Sequence, residues 1–493
     1  MLLLGIDVGT SSIKVSVLDA ATQQCMATAQ YPETESEIIS LQPGWAEQAP
    51  EQWWQYVQQT ILKCHASKKY NPLDIAAIGI AYQMHGLVLV DNNQQPLRNS
   101  IIWCDSRAVE IGNKAFHAIG EEKCLSQLLN SPGNFTACKL AWVKENEPAV
   151  YKKIDTVMLP GDFITMKLTG ENTTTSSALS EGTFWDFTKN EISKTVLDYF
   201  GFDQSFFPVL KNVFAAHGYV KENIAAALSL KPGIPVSYKA GDQPNNALSL
   251  NVLQPGEVAA TAGTSGVIYG VSDELHYDRQ SRINSFAHVN YTEQQKRIGI
   301  LLCINGVGIF NRWIKNIAGP DETYAGLNAA AAKIPIGANG LLALPFGNGA
   351  ERMLNNKIIG GHFHNLNFNI HSTAHLIRAV QEGIAFSFRY GLDIMRENGI
   401  NPTVVRASKA NLFLSDVFTQ SFANVNNAAV EFYEGDGSFG AAIGAGIGAG
   451  IYTDAMAASQ NRKATNVITA QNTDQYEELY AQWKQALQQQ LNK

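Results

Sequence analysis

Apolar residues open the chain as Leu2-Leu3-Leu4, Ile6 and Val8, pause at Gly9-Thr10-Ser11-Ser12, and resume at Ile13, Val15 and Val17. Short apolar runs on either side of a Gly-Thr-Ser turn predict two strands joined as a hairpin. The arrangement recurs from Glu257 to Ile268, where Val258 to Ala262 and Gly266 to Ile268 flank Gly263-Thr264-Ser265. Half of the 493-residue chain separates Gly9 from Gly263, which predicts a duplicated domain with a hairpin opening each half.

After the first hairpin, Cys25 to Tyr31 reads as a third strand, and from Pro50 the residues Trp53, Trp54, Val57, Ile61 and Leu62 recur at helical spacing. A strand from Ile75 to Ala81 leads into the polar turn Gln83-Met84-His85-Gly86. In the second half, Ser372 precedes a helix with Leu376, Val380, Ile384 and Phe388 on one face, ended by Gly399. A last helix follows Asn472 and carries Tyr476, Leu479, Trp483 and Leu487. Strands that first meander and then alternate with helices predict an α/β fold with mixed sheets. Gly440, Gly444 and Gly448 recur every fourth residue and line one helix face, a pattern for close packing. The small apolar stretch Phe439 to Ile451 is shorter than the roughly 20 residues a membrane span needs.

Composition narrows the partners. A chain this long exceeds one hydrophobic core and predicts two domains of similar size. With 45% apolar and 16% charged residues it should fold throughout, and a net charge of -7 argues against nucleic acid or an anionic membrane as partner. The N-terminus lacks a basic leader, and the six cysteines form no CxxC pair, so a cytoplasmic protein is expected.

Asp7-Val8-Gly9-Thr10-Ser11 sets an acid at a strand end, then a glycine that lets backbone amides approach an anion, then two hydroxyls. This suits a nucleotide's terminal phosphates and Mg²⁺, although a plain hairpin needs only the Gly and Ser; the second copy at Gly263-Thr264-Ser265 favours phosphate. Lys14 either offers its charge to a bridging phosphate or faces solvent. Ala240-Gly241-Asp242-Gln243-Pro244-Asn245-Asn246 places one carboxylate at the junction of the halves, where it could accept a hydroxyl proton or cap a helix. Gln83-Met84-His85-Gly86 and Trp103-Cys104-Asp105-Ser106-Arg107 combine hydrogen-bonding groups with an aromatic, the lining of a polyol pocket or of two buried turns.

Together these residues resemble the FGGY family of carbohydrate kinases over essentially the whole chain, and the Gln-Met-His-Gly turn, Trp45-Ala46-Glu47-Gln48 and Trp103 with Asp105 and Arg107 are similar to the sugar-facing stretches of its xylulokinases. The resemblance implies two actin-like, ribonuclease H-like domains of the hexokinase type around an interdomain cleft. Residues 1–244 would carry the sugar site and the first phosphate loop, and 245–493 the nucleotide site and the second. It further implies ATP and Mg²⁺ as cofactors, Asp242 of Gly-Asp-Gln as catalytic base, Asp7 organising the metal, and Gln83, Met84, His85, Trp103, Asp105 and Gln243 holding the sugar. Gly9, Thr10, Ser11, Lys14, Gly263, Thr264 and Ser265 would face the phosphates, with Gly308, Arg312, Ala407 and Asn411 on the adenosine side.

Leu159 to Asp162, Lys167 to Gly170 and Glu181-Gly182-Thr183 also resemble xylulokinase stretches, with architectural roles expected. Two departures stand out: Arg406 to Asn411 replaces the usual glycine triplet, and Glu351-Arg352-Met353-Leu354 keeps only half of a Glu-Arg-Thr-Pro run. The implied reaction is phosphorylation of D-xylulose to D-xylulose 5-phosphate by a homodimer. Alternatives are kinases for L-ribulose, L-xylulose or glycerol, or a silent sugar or nucleotide sensor on the same fold.

Overall fold

A computed structural model describes residues 1–460 and 462–493. The first sheet contains β1 (Leu2–Val8), β2 (Ile13–Asp19), β3 (Cys25–Tyr31), β4 (Ile75–Tyr82), β5 (Phe214–Tyr219) and β6 (Pro235–Gly241), in the order β5-β6-β4-β1-β2-β3. The second contains β7 (Glu257–Ala262), β8 (Gly266–Ser272), β9 (Asn284–Ala287), β10 (Ile298–Ile304), β11 (Val404–Ala407), β12 (Val430–Phe432) and β13 (Asn466–Ile468), in the order β9-β10-β8-β7-β11-β12-β13.

The two sheets share one plan. Each opens with an antiparallel hairpin, β1-β2 or β7-β8, whose first strand then pairs in parallel with a later one, β4 or β11. The first hairpin and β3 fall where the apolar runs predicted them, because every residue of β1 except Asp7 is buried and only such runs tolerate cover on both faces.

The main helices are α1 (Pro50–Ala66), α2 (Pro160–Thr169), α3 (Asp242–Ser249), α4 (Val307–Ala318), α5 (Thr373–Glu397), α6 (Asp416–Asn426), α7 (Gly437–Gly448) and α8 (Thr473–Leu491). Helix α1 starts on Pro50, with Glu51 in its first turn and Lys63 and His65 in its last, charges that complement its dipole. It buries Trp53, Trp54, Val57 and Ile61, but Leu62, expected on that face, lies at its edge and is partly exposed. Helix α5 buries Val380, Ile384 and Phe388, and Gly399 beyond its end takes φ +83°. Helix α8 buries Tyr476, Trp483 and Leu487. The Leu159 to Asp162 stretch is architectural: Asp162 of α2 pairs with Lys239 of β6 at 2.6 Å, both buried, and holds helix to sheet.

Helix α7 decides how the halves meet. It follows β12 of the second sheet in the chain, yet it packs on β1, β4 and β6 of the first and against α3. Contact is backbone on backbone. A Cβ at Gly5 would lie 1.9 Å from Ser438 O, and one at Gly79 1.9 Å from Ala441 O. On the helix side, Cβ atoms at Gly444 and Gly448 would lie 2.4 Å from the Tyr238 ring and 1.7 Å from Ser237 O. The four-residue glycine spacing thus does mark close packing. No helix among the described residues is long and apolar enough to cross a membrane.

Gly79→Ala should push α7 off the sheet and destabilise the protein by about 1–3 kcal/mol, the usual range for overpacking. Calorimetry checks this: a clear fall in Tm is expected, and an unchanged Tm would mean that the helix yields freely.

Candidate active site

Strands β1, β4 and β6 run parallel to one another, and their carboxyl ends place Val8, Tyr82 and Gly241 side by side. Clefts beyond the carboxyl ends of parallel strands are where α/β sheets bind ligands. Three predicted segments follow those ends directly: Gly9-Thr10-Ser11, Gln83-Met84-His85-Gly86, and Asp242-Gln243.

The first two segments are tied together. Thr10 Oγ1 donates to Gln83 Oε1 (3.0 Å) and accepts from Trp103 Nε1 (2.9 Å). Gln83 Nε2 donates to Gln48 Oε1 (3.0 Å), and Gln48 Nε2 donates to Thr10 O (2.8 Å). Gln83 is therefore reassigned. It is buried and its amide is hydrogen-bonded to Thr10 and Gln48, so it ties the Gly9-Thr10-Ser11 hairpin to the His85 turn from behind and presents no group to the cleft. Ser11 stands exposed at the hairpin tip, and a Cβ at Gly9 would lie 2.9 Å from Ser12 O.

His85 takes φ +62°. Its Nδ1 lies 2.9 Å from Glu181 O, so it carries the proton and donates, which leaves Nε2 as an acceptor. Burial and the nearby Lys139 cation push its pKa down to about 3, so the ring is neutral, and it packs edge-on against Phe135 at 4.8 Å. Lys139, fully buried, donates to His85 O (2.8 Å) and Ile102 O (3.0 Å) and so clamps the turn from below. Met84 packs on Gly241, where a Cβ would lie 2.6 Å from Met84 Cγ. Trp103 is half exposed.

Asp105 is a correction. It is fully buried, and both its oxygens are taken up within the protein: Oδ2 accepts from Ala46 N (2.6 Å) and Arg107 Nη2 (2.7 Å), and Oδ1 from Arg107 N (2.8 Å) and Nε (3.0 Å). Arg107 in turn lies 3.8 Å from the Trp45 ring. The pair supports the wall that carries Trp103.

Asp242 begins α3 and is half-buried. Burial and the charge of Asp7 raise its pKa to about 7, opposed by hydrogen bonding from Gln243. Asp7 is raised to about 6 by burial and by Asp436, while Lys14, its partner across the hairpin, lowers it. Lys14 thus acts on the site rather than on solvent alone. A Cβ at Gly437 would lie 2.2 Å from Asp7 Oδ2, so the start of α7 presses on this carboxylate.

Glu181, expected to be architectural, sits beneath the site. Its Oε1 accepts from Tyr82 OH (2.7 Å) and its Oε2 from His85 N (3.3 Å). Burial holds its pKa well above the usual carboxylate range, and Asp242 adds to the rise. Sequence reasoning passed over Glu181, Lys139 and Asp436 as site residues. A charged side chain in sequence carries no sign that burial will make it a support.

Across the cleft, Gly263, Thr264, Gly308, Arg312 and Asn411 line one cavity of about 340 Å³, joined by Tyr324, Asn328 and Leu414. Gly308 is required there, because a Cβ would lie 2.2 Å from Gly263 O. Ser265 is half-buried at the hairpin tip, outside this wall. Ala407 is a second correction: it is fully buried at the end of β11 and exposes nothing to a nucleotide. The departure at Arg406 is a brace, in which the guanidinium pairs with Glu257 and Glu431, each at 2.9 Å.

The profile of the N-terminal domain of the FGGY family of carbohydrate kinases matches residues 2–249. The chain belongs to this family. The kinase is 29% identical to the xylulose kinase of Bacillus subtilis over 433 residues, 87% of this chain and 84% of that protein. It is likewise 29% identical to the Escherichia coli xylulose kinase over 446 residues, 89% and 88% of the two chains. A crystal structure of a xyloylose kinase from Brucella ovis superposes with a TM-score of 0.88 at 26% identity, covering 99% of this chain and 98% of that one. The fold is the actin-like, hexokinase-type fold of sugar kinases, and the chain is an ATP-dependent sugar kinase.

The raised pKa of Asp242 carries a signed stability prediction. Its folded value near 7 exceeds the 3.8 of a free aspartate, so the folded state holds a proton that the unfolded chain releases, and stability is lost as pH rises between those values. His85 and Lys139 are shifted the other way, so the comparison must be between variants. For the ligand-free kinase, the Tm of Asp242→Asn minus that of the unaltered chain should be small near pH 4 and grow to a plateau above about pH 7. A pH-independent difference would show that Asp242 titrates normally.

Proposed function

We propose that this kinase transfers the γ-phosphoryl group of ATP to the C5 hydroxyl of D-xylulose, giving D-xylulose 5-phosphate and ADP. The observation that carries the reading is Asp242: a half-buried carboxylate with a pKa raised to about 7, at the end of β6 beside the turn that follows β4 and close enough to Asp7 of β1 to feel its charge. A base near neutrality matches the proton transfer that a sugar hydroxyl requires. D-xylulose as the substrate is supported by the xylulose kinases among the relatives and by the His85 turn, linked to Trp103 through Gln83 and Thr10.

In this mechanism the C5 oxygen attacks the γ-phosphorus in line, its proton passes to Asp242, and the bond from the γ-phosphorus to the bridging oxygen breaks to release ADP. His85 Nε2 accepts from a sugar hydroxyl, and Met84, Trp103 and Gln243 shape the pocket. Gly9-Thr10-Ser11 and Gly263-Thr264-Ser265 cradle the phosphates from the two walls, with Gly308, Arg312 and Asn411 around the nucleoside. Residues 1–244 supply the sugar half of the cleft and 245–493 the nucleotide half.

Asp7 would hold Mg²⁺. The fit is to an open site: the charge of Asp436 adds to the rise at Asp7, and no group of three or more His, Cys, Asp or Glu among the described residues forms a closed cage. Magnesium characteristically takes one or two carboxylates and completes its shell with phosphate and water. When bound, it screens charge on the phosphates.

Asp242→Asn should lower turnover by about 10²- to 10⁴-fold while sugar binding survives. For the unaltered kinase, kcat/KM should fall about tenfold per pH unit below about pH 7, where Asp242 is protonated. ADP release over a panel of D-xylulose, L-ribulose, L-xylulose and glycerol checks the substrate. Preference for another member would replace D-xylulose, and sugar binding without ADP release from any of them would leave a sensor.

A further inference from the structure

Asn328 lines the second domain's cavity but has no part in the mechanism above. It belongs to the helix Tyr324–Ala332, which is capped by Thr323, whose Oγ1 accepts from Gly326 N at 3.1 Å. Leu327 and Ala331 of the same helix are buried in the second domain's core, and the helix packs on α5 and α6. The backbone that carries Asn328 is therefore anchored, while the residue itself is half-buried.

A chain of hydrogen bonds fixes which way its side-chain amide points. Ser415 caps α6, its Oγ accepting from Phe418 N at 3.4 Å, and its hydroxyl proton goes to Gln381 Oε1 of α5 at 2.7 Å. With its oxygen taken, the fully buried Gln381 turns its Nε2 to Asn328 Oδ1 at 2.8 Å. An amide side chain has one donor end and one acceptor end, so the order of the chain orients Asn328. Its Oδ1 faces Gln381, and its Nδ2 has no hydrogen-bond partner among the described residues.

The rest of the cavity defines what such an amide can read. Ile309, Tyr324, Leu412 and Leu414 give it apolar walls suited to a flat heterocycle, and no Asp or Glu lines it. Adenine sets its N7 acceptor beside its N6 donor and so meets both ends of an asparagine amide, for which Oδ1 keeps a second lone pair. Guanine sets two acceptors, N7 and O6, side by side and opposes Oδ1. Guanine's own donors, its ring N–H and amino group, call for an acceptor such as a carboxylate, which the cavity lacks.

We infer that Asn328 selects the nucleobase, donating from Nδ2 to a ring nitrogen of adenine and accepting the adenine amino group on Oδ1, with Gln381 and Ser415 as positioning residues that keep the amide from turning over. This rests on the reading that the nucleoside enters this cavity. A contact residue whose rotamer is locked by buried partners discriminates better than a free one, because the wrong base cannot be met by a flip of the amide.

The test titrates ADP and GDP by calorimetry, which needs no sugar, into the unaltered kinase, Asn328→Leu, Asn328→Asp and Gln381→Met, with Tm measured for each. The unaltered kinase should favour ADP by about tenfold or more, and Asn328→Leu should weaken ADP about 10- to 100-fold and GDP by less than about threefold. Asn328→Asp keeps the bond from Gln381 but replaces the free donor with an acceptor, so the preference for ADP should fall further; its charge weighs on both nucleotides alike and drops out of the ratio. Gln381→Met keeps the volume and frees the amide, so the preference should fall there too, whereas a merely structural glutamine would lower Tm and leave the preference intact. If Gln381→Met does not fold, the two variants at the half-buried Asn328 decide. Leu414→Trp, which fills the cavity from an exposed position, separates the two ways of failing. Weakened ADP binding in Leu414→Trp, together with equal affinity for ADP and GDP in the unaltered kinase or an unchanged ratio in both Asn328 variants, overturns this inference alone. Unaltered ADP binding in Leu414→Trp overturns the reading of the cavity and this inference with it.

Discussion

The backbone contact between α7 and the first sheet is the constraint on which the site depends. Only glycine at Gly5 and Gly79 on the sheet and at Gly444 and Gly448 on the helix allows the two surfaces to meet at that distance. Because they do, the start of α7 reaches Asp7, and a helix from late in the chain closes the site that the first strand opens. The same contact ties the halves together, since α7 also packs on α3, the helix that begins with Asp242. Asp242, Asp7 and the join between halves are thus one packed unit.

Within that unit the carboxylates are only partly compensated by the protein, through Lys14. Asp7, Asp242 and Asp436 crowd one region, and the first two are held above the ordinary carboxylate range. Buried like charges of this kind destabilise a fold, and they persist where a function uses them. Elsewhere the opposite rule holds: buried pairs such as Asp162 with Lys239 and Asp105 with Arg107 are closed within the protein.

The sugar wall shows a division of labour between residues that face the cleft and residues that hold them. Gln83, Gln48, Asp105, Arg107, Lys139 and Glu181 spend their hydrogen bonds on the phosphate hairpin, the His85 turn and the Trp103 segment. Among the described residues that leaves His85 Nε2 without a hydrogen-bond partner and the Trp103 ring half exposed. A site held this way is preorganised, so little ordering remains to be done when a substrate arrives.

Much of this was legible along the chain. Apolar runs broken by Gly-Thr-Ser located both hairpins, since strand and turn preferences are local. Helical spacing located α1, α5 and α8, and the family resemblance marked Asp242. Which residue faces the cleft and which stands behind it was not legible: Gln83, Asp105 and Ala407 were expected at the ligand and are buried. Nor could the sequence place the helix carrying Gly440, Gly444 and Gly448 on the other half's sheet. Local preferences fix elements because they act between neighbours, but burial, pKa and cross-domain contact arise only when distant segments exclude water together. The amino-acid order by itself determined the strands, turns and helices and the chemistry available; the tertiary structure alone decided which of those groups meet a ligand.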